Sequence, residues 1–186
     1  VYMVMIDKVL SEGRQAIVLI PEIALTYQTV MRFYNRFGDR VSIMNSKLSQ
    51  GERFDQFERA KAGDIDIMIG PRSALFTPFP HLGLIIIDEE HETSYKSETA
   101  PRYHARDVAI ERARMNDASV LLGSATPSVD SYYQAMQGKY QLLMLSERVE
   151  KKPLPDCEVV DLRSELRAGN RSILSERLQE LMEDRL

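Results

Sequence analysis

The chain has 186 residues, 44% apolar and 28% charged, with a formal net charge of −4; this is enough for one well-buried domain and gives no global nucleic-acid footprint, so nucleic acid would have to meet a local surface. Cys157 is the only cysteine, which excludes an internal disulfide or a cysteine-based zinc site within these residues and fits a reducing, cytoplasmic setting. No apolar run approaches ~20 residues and no signal peptide is visible, so nothing reads as membrane-bound.

The chain opens at Val1 with a helical pattern already running through Tyr2, Met5, Ile6, Val9 and Leu10. Ala16–Ile20 reads as a strand, Ile23–Phe37 as a helix and Val41–Met44 as a second strand. Ser49-Gln50-Gly51-Glu52 has the form of a capping box, and its helix should end near Gly63. Ile65–Ile69, Leu84–Ile87 and Val120–Leu122 are further strands, with helices over Arg106–Met115 and Ser128–Gln137. Strands alternating with helices imply right-handed crossovers and a parallel sheet. Lys151-Lys152-Pro153-Leu154-Pro155 marks a boundary, because two prolines end any helix or central strand. Beyond it, Glu158–Leu162 reads as a strand, Arg167–Arg171 as a polar turn and Ser175 as the cap of a last helix. The chain reads as cut at both ends.

Chemistry is expected where Leu84-Ile85-Ile86-Ile87 turns into Asp88-Glu89-Glu90-His91. A strand buried on both faces shows no alternation, and open α/β sheets bind ligands beyond the carboxyl ends of their strands. Clustered carboxylates repel one another unless a cation compensates. Asp88 could hold a metal and Glu89 could position an attacking water, as phosphoryl transfer requires; the alternative is a charged turn whose carboxylates cap a helix. Leu121-Leu122-Gly123-Ser124-Ala125-Thr126-Pro127-Ser128 is a second strand turning into small hydroxyl residues, or equally a helix start with Pro127 in the first position. Ile20-Pro21-Glu22-Ile23-Ala24-Leu25-Thr26 and Ile69-Gly70-Pro71-Arg72-Ser73-Ala74-Leu75-Phe76 also follow strands. They offer hydroxyls, helix N-termini and an arginine to a phosphate backbone.

In this order, these four motifs resemble superfamily-two helicases of the DEAH-like kind, and more narrowly the bacterial primosomal, replication-restart DNA helicases. Leu48–Arg53, Phe79–Leu84, Ser94-Tyr95-Lys96 and Pro101–Asp107 support the likeness. The resemblance implies a three-layer RecA-like domain of the P-loop NTPase type, with residues 1–150 forming a first motor lobe and 151–186 a connection. It implies ATP with Mg²⁺ as cofactor, with Asp88 holding the metal and Glu89 as general base. His91, Ser124 and Thr126 would link the nucleotide to DNA-dependent motion. Pro21, Glu22, Thr26, Gly70, Arg72 and Ser73 would meet the single-strand backbone. Tyr95, Lys96, Arg102 and Tyr103 would form an aromatic-rich loop that senses DNA, with the tyrosines stacking on bases.

Two departures stand out: Pro71 replaces the family's usual threonine, and no Gly-x-x-x-x-Gly-Lys-Ser/Thr loop occurs in these residues. The resemblance puts that loop just before the opening helix. It puts a second motor domain with an arginine finger, and a module with structural Zn²⁺, beyond the last residue. The implied whole is an ATP-dependent 3′–5′ helicase, cytoplasmic and nucleoid-associated, acting on forked DNA and single-strand/duplex junctions. Primosome and single-stranded-DNA-binding proteins would be its partners, and the piece itself would hydrolyse little ATP. Two rivals remain at this point: a non-catalytic single-stranded DNA-binding lobe, and a metal-dependent hydrolase with Asp88, Glu89 and His91 as ligands.

Overall fold

The computed structural model describes residues 1–145 and 156–185. It divides into two compact units, Val1–Leu142 and Leu143–Leu186. The expected boundary at Lys151–Pro155 lies outside the described residues. Among the described residues no helix is long and apolar enough to cross a membrane.

The first unit is built on a five-stranded parallel sheet: β1 (Gln15–Leu19), β2 (Val41–Ile43), β3 (Ile67–Gly70), β4 (Leu82–Ile87) and β5 (Ser119–Leu122), in the spatial order β2-β3-β1-β4-β5. Every residue of β1 and β4 is buried. This explains their nearly continuous apolar sequence, since both faces must be covered. One face packs against α1 (Tyr2–Ser11) and α2 (Tyr27–Phe37), through Ile6, Leu10, Phe33 and Phe37 meeting Ala16, Val18, Leu84 and Ile86. The other receives α3 (Gln50–Ala62) and α4 (Ala105–Asn116), where Ala60, Ala105, Ala109 and Ala113 allow close approach to Ile17, Leu19, Ile85 and Ile87. The result is the three-layer α/β architecture that the alternation of strands and helices predicts.

Local signals set the ends of these elements. Ser49 and Glu52 form the expected reciprocal capping box, and Gly63 ends α3 with left-handed backbone, φ 82°. The helix expected over Ile23–Phe37 is instead a 3₁₀ turn, Glu22–Ala24, followed after a break by α2. The break falls where Thr26 takes extended backbone and its hydroxyl accepts from Thr29 N, a cap that restarts the helix. A fifth helix, α5 (Val129–Met136), is capped by Ser128, so Pro127 precedes the helix rather than opening it.

The second unit carries α6 (Leu162–Ala168) and α7 (Glu176–Glu183). The strand expected over Glu158–Leu162 is absent. Asp161 accepts from Arg163 N and starts α6 there, and Ser175 caps α7 as expected. An apolar pair without a neighbouring strand has no ladder to join, and the aspartate cap decides the outcome.

Candidate active site at the carboxyl rim of the sheet

Because all five strands are parallel, their carboxyl ends share one rim, and the four singled-out motifs follow β1, β3, β4 and β5 on it. Asp88 leaves β4 with its N–H donating to Leu19 O at 2.9 Å, while Gly123 N donates to Ile87 O at 2.9 Å. The next residue, Glu89, takes left-handed backbone with φ 48°. For a side chain with a Cβ this conformation costs about 1 kcal/mol or more. It is held by Glu90 N donating to Gly123 O at 3.0 Å and Glu92 N donating to Glu89 O at 2.9 Å. The turn breaks the strand at Asp88, so Glu89 and His91 follow it outside the ladder.

His91 Nδ1 lies 2.7 Å from Ser124 Oγ and 3.6 Å from Glu89 Oε2. Ser124 Oγ also accepts from Thr126 N at 3.0 Å. The acidic and hydroxyl motifs, 33 positions apart, are thus joined side chain to side chain. Asp88 is gripped by two phenols. Tyr2 donates to its Oδ1 at 2.6 Å, and Tyr95 donates to its backbone carbonyl at 2.7 Å. Burial first, then the hydrogen bond and charge of Asp88, raises Tyr2 above the ordinary tyrosine value; burial and the nearby Asp88 charge raise Tyr95 likewise. Both phenols therefore keep the protons they donate.

Tyr95 requires a correction. It is fully buried in the core beneath the rim, so it cannot stack on a base as the sequence suggested. Its apolar ring fills the core and its hydroxyl holds Asp88, an arrangement that a Ser-Tyr-Lys tripeptide does not advertise. Tyr103 is half-buried, with its ring edge-on to Phe76 at 5.5 Å and under the Arg72 guanidinium at 5.6 Å. Arg72 also donates to the carbonyls of Ser94 and Lys96, which ties the segment after β3 to the aromatic loop. Lys96 and Arg102 are exposed, as is Ser73. Gly70 is forced by proximity, since a Cβ there would meet Met44 O at 2.6 Å.

After β1, Pro21 is buried and Thr26 caps α2. The Glu22 carboxylate accepts from Ser46 N at 2.9 Å, and this hydrogen bond lowers its pKa. Glu22 thereby ties the segment after β1 to the loop after β2. Both segments expected to begin helices form 3₁₀ turns, Glu22–Ala24 and Arg72–Phe76.

Sequence reading overlooked a buried network around Glu90, which is 2% exposed. Its carboxylate accepts from Ser128 N at 2.6 Å, Ser131 Oγ at 2.8 Å and Ser128 Oγ at 3.1 Å. Arg106 lies 3.7 Å away and donates to both serine hydroxyls. Ser128 at the cap of α5 and Ser131 one turn into it were the available signal. Tyr2 left none, since its partner lies 86 positions away.

A family model described as DEAD/DEAH box helicase matches residues 1–135. The chain belongs to that family. Among curated relatives it is similar to replication restart protein PriA of Bacillus subtilis, 50% identical over 99% of this chain and 23% of the relative. It is also similar to the proteins of that name from Synechocystis (46%, covering 96% and 22%) and Haemophilus influenzae (44%, covering 98% and 25%). The chain spans about a quarter of the length of these relatives. Solved structures that resemble it include the C-terminal domain of the DEAD-box protein Dbp5, at TM-score 0.47 and 17% identity over 69% of this chain and 72% of that one. Another is the Pyrococcus furiosus Hef helicase domain, at TM-score 0.40 and 13% identity over 72% and 27%. The five-stranded parallel sheet covered by helices on both faces is the three-layer α/β architecture that the resemblance implied.

The family implies magnesium with a nucleotide, and the residues present fit that group. Asp88 offers Oδ2 at the rim, with Oδ1 held by Tyr2. One carboxylate is the usual protein contribution when substrate phosphates and water complete the octahedron. Among the described residues no group of three or more His, Cys, Asp or Glu could hold a metal ion. Asp88, Glu89 and His91 are therefore not such a group among the described residues.

Proposed function

We propose that this chain is the nucleotide-hydrolysing half-site of an ATP-dependent 3′–5′ DNA helicase that opens forked DNA and starts primosome assembly during replication restart in the bacterial cytoplasm. The observation that carries the reading is the 2.7 Å contact between His91 and Ser124. It joins the strand-end acids to the hydroxyl motif, as a motor needs if hydrolysis at one strand end is to move its neighbour.

In this reading Asp88 holds the magnesium that accompanies ATP, and that ion supplies charge neutralisation at the phosphate oxygens. Glu89, on left-handed backbone just past the end of β4, orients the attacking water and accepts its proton. His91 sits between Glu89 and Ser124 and senses the state of that carboxylate. Lys96, Arg102 and Ser73, all exposed, meet the phosphates of a single strand, with Thr26 and the backbone around Gly70 alongside. Arg72 and Tyr103 shape that surface from beneath.

The test is Glu89→Gln in the intact protein. The substitution removes the proton acceptor with little change of shape, and it should lower DNA-stimulated ATP turnover about 10²- to 10⁴-fold while single-strand binding is retained. A variant that hydrolyses ATP within a few-fold of the parent would refute the assignment.

A further inference from the structure

We propose that Tyr2 is a positioning residue for magnesium, fixing the Asp88 carboxylate so that Oδ2 faces the ion. The inference rests on the reading of Asp88 given above. Tyr2 lies in the first turn of α1, on a different element from the strand-end acids, and its hydroxyl donates to Asp88 Oδ1 at 2.6 Å. A carboxylate at the end of a strand rotates freely about its last torsion unless something holds one oxygen. Here one oxygen is held, and among the described residues the other has no hydrogen-bond partner. Outer residues that orient a metal ligand in this way typically change metal affinity 10- to 100-fold when removed.

A second observation shows that room has been made for this contact. A Cβ on Gly123 would lie 1.8 Å from Tyr2 Oη and 3.0 Å from its Cζ. Gly123 does not adopt left-handed backbone, unlike Gly13, Gly38, Gly63, Gly138 and Gly169. Its missing side chain is therefore required by the phenol of Tyr2, not by the turn. Tyr95 secures the same residue by donating to the Asp88 carbonyl at 2.7 Å. Backbone and side chain of Asp88 are thus fixed by two separate phenols. A purely structural Tyr2 would need only its ring, which packs at the edge of the core shared by α1 and α2.

The experiment uses the intact protein with manganese as probe, reading free Mn²⁺ by electron paramagnetic resonance in the presence of ADP. Tyr2→Phe keeps the ring and removes the hydroxyl. It should weaken Mn²⁺ binding about tenfold and raise the magnesium concentration that half-saturates ATP hydrolysis by the same factor, with the unfolding temperature unchanged. Gly123→Ala, which displaces the phenol, should do the same. The double variant should be no weaker than Gly123→Ala alone, since the two substitutions break one contact. Unchanged Mn²⁺ binding in Tyr2→Phe, or effects that multiply in the double variant, would overturn the inference. A parent protein that hydrolyses no ATP would overturn the reading of Asp88 itself, and this inference with it.

Discussion

Glu90 gives the sharpest test of how the rim is held together. Its side chain is 1% exposed and receives the N–H of Ser128, the hydroxyls of Ser128 and Ser131, and the Arg106 guanidinium at 3.7 Å. Replacing it by alanine leaves a buried amide and a nearly buried cation without their anion. Breaking a buried pair in this way costs ~3–5 kcal/mol. Arg106 retains Asp107 at 3.5 Å and Asp130 at 4.0 Å, both largely exposed, so the lower end of that range applies, about 3 kcal/mol. Glu90→Gln keeps one acceptor and loses the charge, for about 1.5 kcal/mol. At 1.4 kcal/mol per factor of ten, amide exchange over 128–136 should accelerate ~100-fold in Glu90→Ala and ~10-fold in Glu90→Gln, read by mass spectrometry on the intact protein. Acceleration below threefold in Glu90→Ala would refute the argument. So would equal acceleration over α1 and α3, because the tie would then be global rather than local to α5.

Gly70→Ala places a Cβ 2.6 Å from Met44 O and 2.8 Å from Met44 Cβ; backbone must move, so it should lower stability by roughly 1–3 kcal/mol, visible as a lower urea midpoint, and an unchanged midpoint would contradict the close approach. His104 Nδ1 accepts from Arg106 N at the start of α4, and burial, then the Arg106 charge, lowers its pKa below the ordinary 6.5. With the folded value depressed, the stabilisation from the neutral ring is present above about pH 6.5 and is lost as pH falls through the lower folded value. Protection of the first turn of α4, corrected for intrinsic exchange, should therefore fall on acidification, and His104→Asn, which keeps a cap, should abolish that dependence.

Much of this was legible in the sequence, for identifiable reasons. Leu84–Ile87 announced β4 because a strand covered on both faces has no polar alternation, and Ser49, Glu52 and Gly63 announced α3 because caps are local chemistry. The strand over Glu158–Leu162 failed because strand formation depends on a partner, which no local window contains. The break at Thr26 failed because a cap inside an apolar periodicity is masked by that periodicity. At the site, Asp88, Glu89, His91, Ser124 and Thr126 fall together at the rim because each directly follows a parallel strand. Tyr2, Arg106 and Tyr95 were missed or misread because their partners lie on other elements, and a tyrosine's ring and hydroxyl can serve different neighbours.

The rim also shows why charge near a strand end overstates the chemistry it carries. Of the ionisable residues there, Glu22 holds the loop after β2 through Ser46 N, and Arg72 holds the aromatic loop through two carbonyls. Glu90 and Arg106 hold the start of α5. Each tie runs from a side chain on one segment to the backbone or side chain of another, so each converts a charge into a fixed distance between loops. Parallel strands place the loops that follow them on one edge, where short connections alone would let those loops drift independently. What remains for chemistry is a smaller set: the free oxygen of Asp88, the strained Glu89, and the His91–Ser124 pair. The ties let those few groups hold their spacing, because a site assembled from four separate loops is only as precise as the contacts between them.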